Sequence, residues 1–113
     1  MSTRAFHKIC ALEDIPQNTG VCALVDGQQI AIFRTGPKDL HAVSNHDPFS
    51  KANVLSRGIV GTKGDTPKVA SPIYKQQFDL TTGQCLDDPE VRIPTFAVRE
   101  QDGAVFVCSQ EGQ

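Results

Sequence analysis

Short apolar runs separated by turn residues organise the N-terminal part of the chain. The run "GVCALV" (residues 20–25) is followed by "QQIAIFR" (28–34), and Asp26-Gly27 lies between them. Asp-Gly between two strand-like runs favours a tight hairpin, because a type I′ turn needs positive φ at both central residues. A Gly-Pro turn then leads to "LHAVS" (40–44). The pattern predicts a three-stranded antiparallel meander.

The second of these runs is apolar on both faces. Ile30 and Ile32 share one face of the predicted strand, and Ala31 and Phe33 share the other, because side chains alternate along a strand. A strand that is apolar on both sides is covered on both sides. We therefore expect this strand to be central in its sheet.

A second hairpin closes the chain. "TFAVRE" (95–100) and "AVFVC" (104–108) are joined through Asp102-Gly103, which repeats the turn chemistry of the first hairpin. The intervening segment 45–94 is richer in Pro, Gly, Ser, Thr and Asp, and its strand candidates are shorter.

The length and this order of elements together predict the domain organisation. A chain of 113 residues fits one domain, here residues 1–113, with one modest core. We expect an all-β fold, an antiparallel β-sandwich or meander, with 45–94 as a small inserted subdomain rich in loops.

Charge and hydropathy exclude several classes of partner. The net charge is −2 and the basic residues are scattered, which argues against nucleic acid. No apolar run approaches the roughly 18 residues that span a bilayer, and the first residues lack a signal-peptide pattern. We therefore expect a cytoplasmic protein without a membrane partner.

The four cysteines do not form a metal-binding or redox motif, because no pair has C-x-x-C spacing. Free thiols are expected in the cytoplasm. Cys22 and Cys108 lie in apolar runs and are expected to act as small hydrophobic residues. Cys85 lies in a polar turn, which leaves open an exposed redox-sensing thiol, although nearby Asp87 and Asp88 would reduce its reactivity.

Three segments between the hairpins resemble the cluster-binding subdomain of Rieske proteins. They are "VSNHDPF" (43–49), "VLSRGIVG" (54–61) and "VASPIYKQQFDLTTG" (69–83). In that family two loops each supply one Cys and one His to a [2Fe–2S] cluster. The resemblance extends over about residues 6–108 and implies a Rieske-like fold.

The four ligand positions of the family hold other residues in this chain. When the loop prolines are aligned, Asp47 and Ser71 replace the cysteines, and Phe49 and Tyr74 replace the histidines. Thiolate and imidazole are the ligands that such a cluster uses. The resemblance therefore implies a Rieske fold with no metal, cofactor-binding or catalytic residues of its own.

The replaced side chains allow two readings. Phe49 and Tyr74 could pack into the space that a cluster would occupy, while Asp47 and Ser71 bond to backbone in their own loops. The loop tips could also form a docking surface, and the two readings are compatible, because one aromatic can be buried while the loop rims are exposed. The neighbouring His46 could pair with a carboxylate to hold a divalent metal, but the partner loop offers no second His or Cys.

Several segments also resemble the small subunit of the bacterial assimilatory NAD(P)H-dependent nitrite reductase, above all "NHDPF" (45–49) and "VLSRG" (54–58). That resemblance implies a heteromeric oxidoreductase of nitrate assimilation, whose large subunit carries FAD, a [4Fe–4S] cluster and siroheme and reduces nitrite to ammonium. This chain would then be a docking or structural subunit, not catalytic alone. The alternative is a Rieske-type ferredoxin, or a ferredoxin-like module, that serves another oxidoreductase.

Overall fold

The computed structural model describes residues 6–111, which are built from β-strands and two 3₁₀ helices. The strands are β1 (Phe6–Ala11), β2 (Thr19–Val25), β3 (Gln28–Arg34), β4 (Leu40–Ser44), β5 (His46–Asp47), β6 (Ala52–Asn53), β7 (Ile59–Lys63), β8 (Thr66–Ala70), β9 (Gln77–Asp79), β10 (Thr95–Gln101) and β11 (Ala104–Glu111). The 3₁₀ helices are Leu12–Asp14 and Leu55–Arg57. The predicted all-β class is confirmed.

Six strands form the larger sheet, which we call the base sheet. Its order is β1-β11-β10-β4-β3-β2, and every neighbouring pair is antiparallel. The predicted meander is β2-β3-β4, and the predicted closing hairpin is β10-β11. Both Asp-Gly turns have positive φ at both residues: 49° and 79° at Asp26 and Gly27, and 53° and 80° at Asp102 and Gly103.

The "QQIAIFR" run is covered on both faces, as predicted, but β3 is the fifth of six strands and lies next to the edge strand β2 rather than at the centre of the sheet. Ile30, Ala31, Ile32 and Phe33 are all fully buried in β3. Ile30 and Ile32 join one core cluster with Val105 of β11, whereas Ala31 and Phe33 join a second cluster with residues of the small sheet. One strand therefore supplies both hydrophobic cores, because side chains alternate along it.

A second, smaller sheet lies between the two hairpins in sequence. It has the order β7-β8-β9, and a separate two-stranded ribbon pairs β5 with β6. The 3₁₀ helix at Leu55–Arg57 leads into this sheet through Gly58, where a Cβ atom would clash with the carbonyl oxygen of Ala70. The first loop (residues 47–51) closes the ribbon, and the second loop (71–75) joins β8 to β9. That 45–94 forms a separate subdomain stays a prediction.

The cysteines differ from the sequence expectation at two positions. Cys22 is exposed on β2, the last strand of the base sheet, so it does not pack as a small hydrophobic residue in the way that its apolar run predicts. Cys85 is 1% exposed and packs in the core cluster with Phe78, which removes the basis for an exposed redox-sensing thiol there. Cys108 is buried, as its apolar run predicts.

No helix within residues 6–111 is long and apolar enough to cross a membrane.

Candidate functional site

The two loops have the same backbone pattern. In the first loop, the Lys51 amide donates to the Asp47 carbonyl oxygen at 2.7 Å, and in the second the Lys75 amide donates to the Ser71 carbonyl oxygen at 3.1 Å. The lysine that ends each loop has positive φ, 59° at Lys51 and 69° at Lys75. Each loop also begins with a side chain that accepts from the amide two residues later: Asp47 from Phe49 at 3.0 Å, and Ser71 from Ile73 at 3.3 Å.

A buried carboxylate connects the loops. Asp47 is 0% exposed and Ser71 is 1% exposed, and the Ser71 hydroxyl donates to Asp47 Oδ2 at 2.5 Å. The Ser50 hydroxyl donates to the same oxygen at 2.9 Å. We call Asp47, Ser50 and Ser71 the latch. The predicted bonds of Asp47 and Ser71 to backbone in their own loops are present, and the bond between the loops is an addition that the sequence did not reveal.

The latch also sets the charge state of its carboxyl group. Burial raises the pKa of Asp47, but the hydrogen bonds from Ser71, from the Phe49 amide and from Ser50 outweigh burial and lower that pKa below its ordinary value. The carboxylate is therefore ionised at neutral pH, and its negative charge is compensated by donors.

Asn45 fixes the base of the first loop, a role that the sequence did not indicate. Its side chain is 2% exposed, and its Oδ1 accepts from the Ser56 amide at 2.7 Å. Its Nδ2 donates to the Asn53 carbonyl oxygen at 3.0 Å and to Gln29 Oε1 at 3.1 Å. An asparagine before a loop is common in turns, so residue type alone could not separate this anchor from an ordinary turn residue.

The two aromatic residues at the histidine positions have different environments. Phe49 is half-buried and packs on the core cluster, with its ring centroid 6.2 Å from that of Phe78 and the planes inclined by 47°. Tyr74 is 60% exposed. Of the two readings, packing into the core therefore applies to Phe49, whose aromatic partner is Phe78, and an exposed loop rim applies to Tyr74.

The remaining candidate, His46, is adjacent to Asp47 in β5 but is exposed where Asp47 is buried. Its Nδ1 lies 3.2 Å from Asn53 Oδ1. Across residues 6–111, no group of three or more His, Cys, Asp or Glu side chains could hold a metal ion. The other two histidines, His7 and His41, lie in β1 and β4, as their strand-like runs predict.

These residues do not fit a [2Fe–2S] cluster. The Phe49 ring has no lone pair, and the Tyr74 side chain is directed to solvent. Asp47 Oδ2 and Ser71 Oγ are 2.5 Å apart, whereas two oxygen ligands on one tetrahedral ion would be about 3.4 Å apart. The lone pairs of Asp47 are used by hydroxyl and amide donors. The chemistry that this arrangement supports is the joining of two loops, not the binding of iron.

The chain is similar to proteins of one family throughout its length. Residues 5–108 match the Rieske-like [2Fe-2S] domain family. A protein named nitrite reductase (NADH) small subunit from Salmonella typhimurium is 44% identical over 101 residues, which are 88% of this chain and 94% of that protein. The NMR structure of the Escherichia coli protein NirD has a TM-score of 0.88 and 38% identity, and the alignment covers 95% of this chain and 98% of that one.

A further relative has this domain within a much longer protein. The nitrite reductase [NAD(P)H] large subunit of Klebsiella oxytoca is 40% identical over 111 residues, which are 98% of this chain but 12% of that protein. In that protein a segment similar to the present chain is covalently joined to the remaining 88% of the large subunit. The similarities over nearly the full chain agree with the resemblance of the loop segments, and the chain belongs to the Rieske-like [2Fe-2S] domain family and, within it, to the nitrite reductase small subunits.

Proposed function

We propose that this chain is the accessory small subunit of an NAD(P)H-dependent nitrite reductase of nitrate assimilation, which works in the cytoplasm. It would bind the large subunit, which would carry FAD, a [4Fe–4S] cluster and siroheme and reduce nitrite to ammonium. In this proposal the chain contributes no cofactor and no catalytic residue. Its role is to stabilise or shape the large subunit.

The latch supports the part of the proposal that this chain transfers no electrons. Electron transfer through this chain would need a redox centre, and the positions where the family has ligands hold Asp47, Phe49, Ser71 and Tyr74. Asp47 and Ser71 are committed to a hydrogen bond with each other, and Phe49 to packing on Phe78. The Klebsiella oxytoca relative supports the large subunit as the partner of this chain, because in that protein a similar domain is part of the same polypeptide as the rest of the large subunit.

The test is co-purification of the chain with the cognate large subunit, followed by an assay of nitrite-dependent NAD(P)H oxidation with and without the chain. We expect a stable complex and a higher rate, or a longer-lived activity, when the chain is present. If no complex forms and the activity does not change, the proposed function is wrong.

The ferredoxin alternative has a separate test. The purified chain is incubated anaerobically with iron and sulfide, desalted, and examined by visible absorption, EPR and iron analysis. Because the four positions lack thiolate and imidazole, we expect no bound iron and no [2Fe–2S] chromophore. A Rieske-type EPR signal would favour the electron carrier and would contradict the accessory role proposed here.

A further inference from the structure

Three of the four large apolar side chains that are exposed in the described part of the chain lie at one end of the small sheet. Ile59, Ile73 and Tyr74 are 66%, 45% and 60% exposed, and the fourth, Leu24, belongs to the base sheet. Ile59 is in register with Ala70, the residue that precedes the second loop, so it lies at the same end of the small sheet as Ile73 and Tyr74. We call these three residues the tip patch.

Exposed cations flank the tip patch. Lys51 ends the first loop, Lys75 ends the second loop, and Arg57 lies two residues before Ile59; all three are exposed. Asp47 is close but fully buried. A second carboxylate, that of Asp87, accepts from the amide of Gln77, two residues after Lys75, at 2.7 Å. The loop end of a chain with net charge −2 is therefore locally basic.

The backbone at the two lysines suggests that their side chains are needed. Of the five non-glycine residues with positive φ in the described chain, three are Asn or Asp, which adopt this conformation most readily: Asn18, Asp26 and Asp102. The other two are Lys51 and Lys75, for which glycine would be the less strained choice. Strained positions of this kind are concentrated at functional sites.

We propose that the tip patch, with Lys51 and Lys75 at its rim, is the surface that binds the nitrite reductase large subunit. The complementary site on the large subunit would be an apolar depression with an acidic border. This inference rests on the proposed function and adds the surface and the chemistry of its partner. A patch with an apolar centre and a charged rim is the usual anatomy of a protein interface. A second copy of this chain fits less well, because a two-fold contact would bring the same lysines of both copies together.

The apolar centre is tested by measuring the dissociation constant of the complex with the purified, cofactor-loaded large subunit. We expect the double variant Ile73→Ser/Tyr74→Ser to bind at least about tenfold more weakly, since exposed aromatic and aliphatic anchors dominate interface energies. Leu24→Ser, a matched loss of an exposed apolar residue on the base sheet, should bind as the wild type does. Equal affinity of the loop variant and the wild type, or equal losses in both variants, would overturn the proposal.

The basic rim is tested by Lys51→Gly/Lys75→Gly against Lys38→Ala/Lys63→Ala, which removes the same charge at the other end of the small sheet. Lys63 lies four residues along β7 from Ile59, and Lys38 lines an open groove with Thr62 of the same strand. We expect only the loop pair to slow association by several-fold and to weaken its salt dependence. Equal behaviour of the two pairs would contradict the assignment.

Two further results separate the possible failures. If the wild-type chain does not bind the large subunit at all, the proposed function fails together with this surface. If the wild type binds and the loop variants bind equally well, only the surface is wrong. Sedimentation of the chain alone tests whether a second copy of the chain binds to the tip patch. A wild-type dimer that Tyr74→Ser dissociates would identify the patch as a self-association surface and would overturn the proposal.

Discussion

The two loops have nearly the same backbone and opposite side-chain arrangements. Both begin with a residue that accepts from the amide two positions later, and both end with a lysine of positive φ. Yet the first loop turns Phe49 toward the core, whereas the second exposes Ile73 and Tyr74. A loop pair of a cluster-binding fold can thus keep its backbone pattern while one loop becomes part of the core and the other a surface.

The latch explains how the pair keeps its relative position. In a cluster-containing relative, metal ligands from both loops hold the two together. Here Asp47 accepts from donors of both loops, Ser50 of its own and Ser71 of the other. The connection between the loops is therefore a set of hydrogen bonds to one carboxylate, which they stabilise in its ionised form. This difference between the loops can be tested by matched substitutions in the two loops or at two carboxylates.

The largest expected effect comes from removing the latch carboxylate. Asp47→Ala should lower the free energy of unfolding by about 3 kcal/mol, because it leaves the buried hydroxyl of Ser71, the partly buried hydroxyl of Ser50 and the Phe49 amide without their acceptor. Denaturant unfolding followed by circular dichroism measures this loss.

Asp79 provides the control for the latch. Its carboxylate also accepts from its own turn, including the Thr81 amide at 2.8 Å, but the bonds it accepts all come from Thr81 and Thr82. Asp79→Ala should therefore cost only about 1 kcal/mol, as for other local caps. Equal losses in the two variants would show that the bond between the loops adds nothing.

The next effect distinguishes the two aromatic residues. Phe49→Ala should cost about 2 kcal/mol, less than a fully buried phenylalanine would, because the ring is half-buried against Phe78. Tyr74→Ala should change stability by less than about 0.5 kcal/mol, because its side chain is mostly in solvent. Similar costs for both substitutions would contradict the division of roles between the loops.

The same contrast shows how far the sequence could predict this molecule. The hairpins and the two-sided burial of β3 follow from local patterns, because turn chemistry and side-chain alternation act over a few residues. These features sufficed for the fold class, whereas the family followed from the resemblance of the loop segments. The assignment of Asp47, Phe49, Ser71 and Tyr74 to ligand positions rests on aligned prolines and stays a prediction.

Local patterns could not predict which loop side chains are buried and which residues they contact. Phe49 and Tyr74 are both aligned with histidine positions by the loop prolines, and residue type does not say which ring finds a partner on another strand, here Phe78 of β9. Likewise, the bond between Asp47 and Ser71 joins residues 24 positions apart. Burial of Cys85 depends on packing of the same kind, with side chains from distant strands.

A pH titration tests the charge state of the latch. The pKa of Asp47 is lowered in the folded chain, so its contribution to stability is present above the unfolded pKa of about 3.8 and is lost as the pH falls through the folded pKa. The difference in unfolding free energy between wild type and Asp47→Asn should be constant from about pH 7 to 5 and should narrow below about pH 4. A difference that stays constant down to pH 2 would mean that Asp47 does not titrate with folding.

Comparison with the asparagine variant is needed because other groups also titrate. Burial lowers the pKa of His41, and hydrogen bonds within its turn lower that of Asp79 against the opposing effect of burial. Both groups make the wild type less stable as the pH falls, but their effects are common to wild type and Asp47→Asn. The narrowing of the difference therefore reports Asp47 alone.

The smallest expected change in stability concerns the positive φ that both loops have at their final lysine. Lys51→Gly and Lys75→Gly should each change the unfolding free energy by less than about 0.5 kcal/mol, because relief of the positive φ offsets the greater freedom of glycine in the unfolded chain. Lys8→Gly, at an exposed lysine in β1, should instead cost about 1 kcal/mol, since extended backbone gives glycine no such relief. If either loop variant loses as much as Lys8→Gly, the two backbones are not equivalent. If Lys51→Gly and Lys75→Gly change the unfolding free energy equally while Phe49→Ala and Tyr74→Ala do not, the two loops differ in their side chains and not in their backbones.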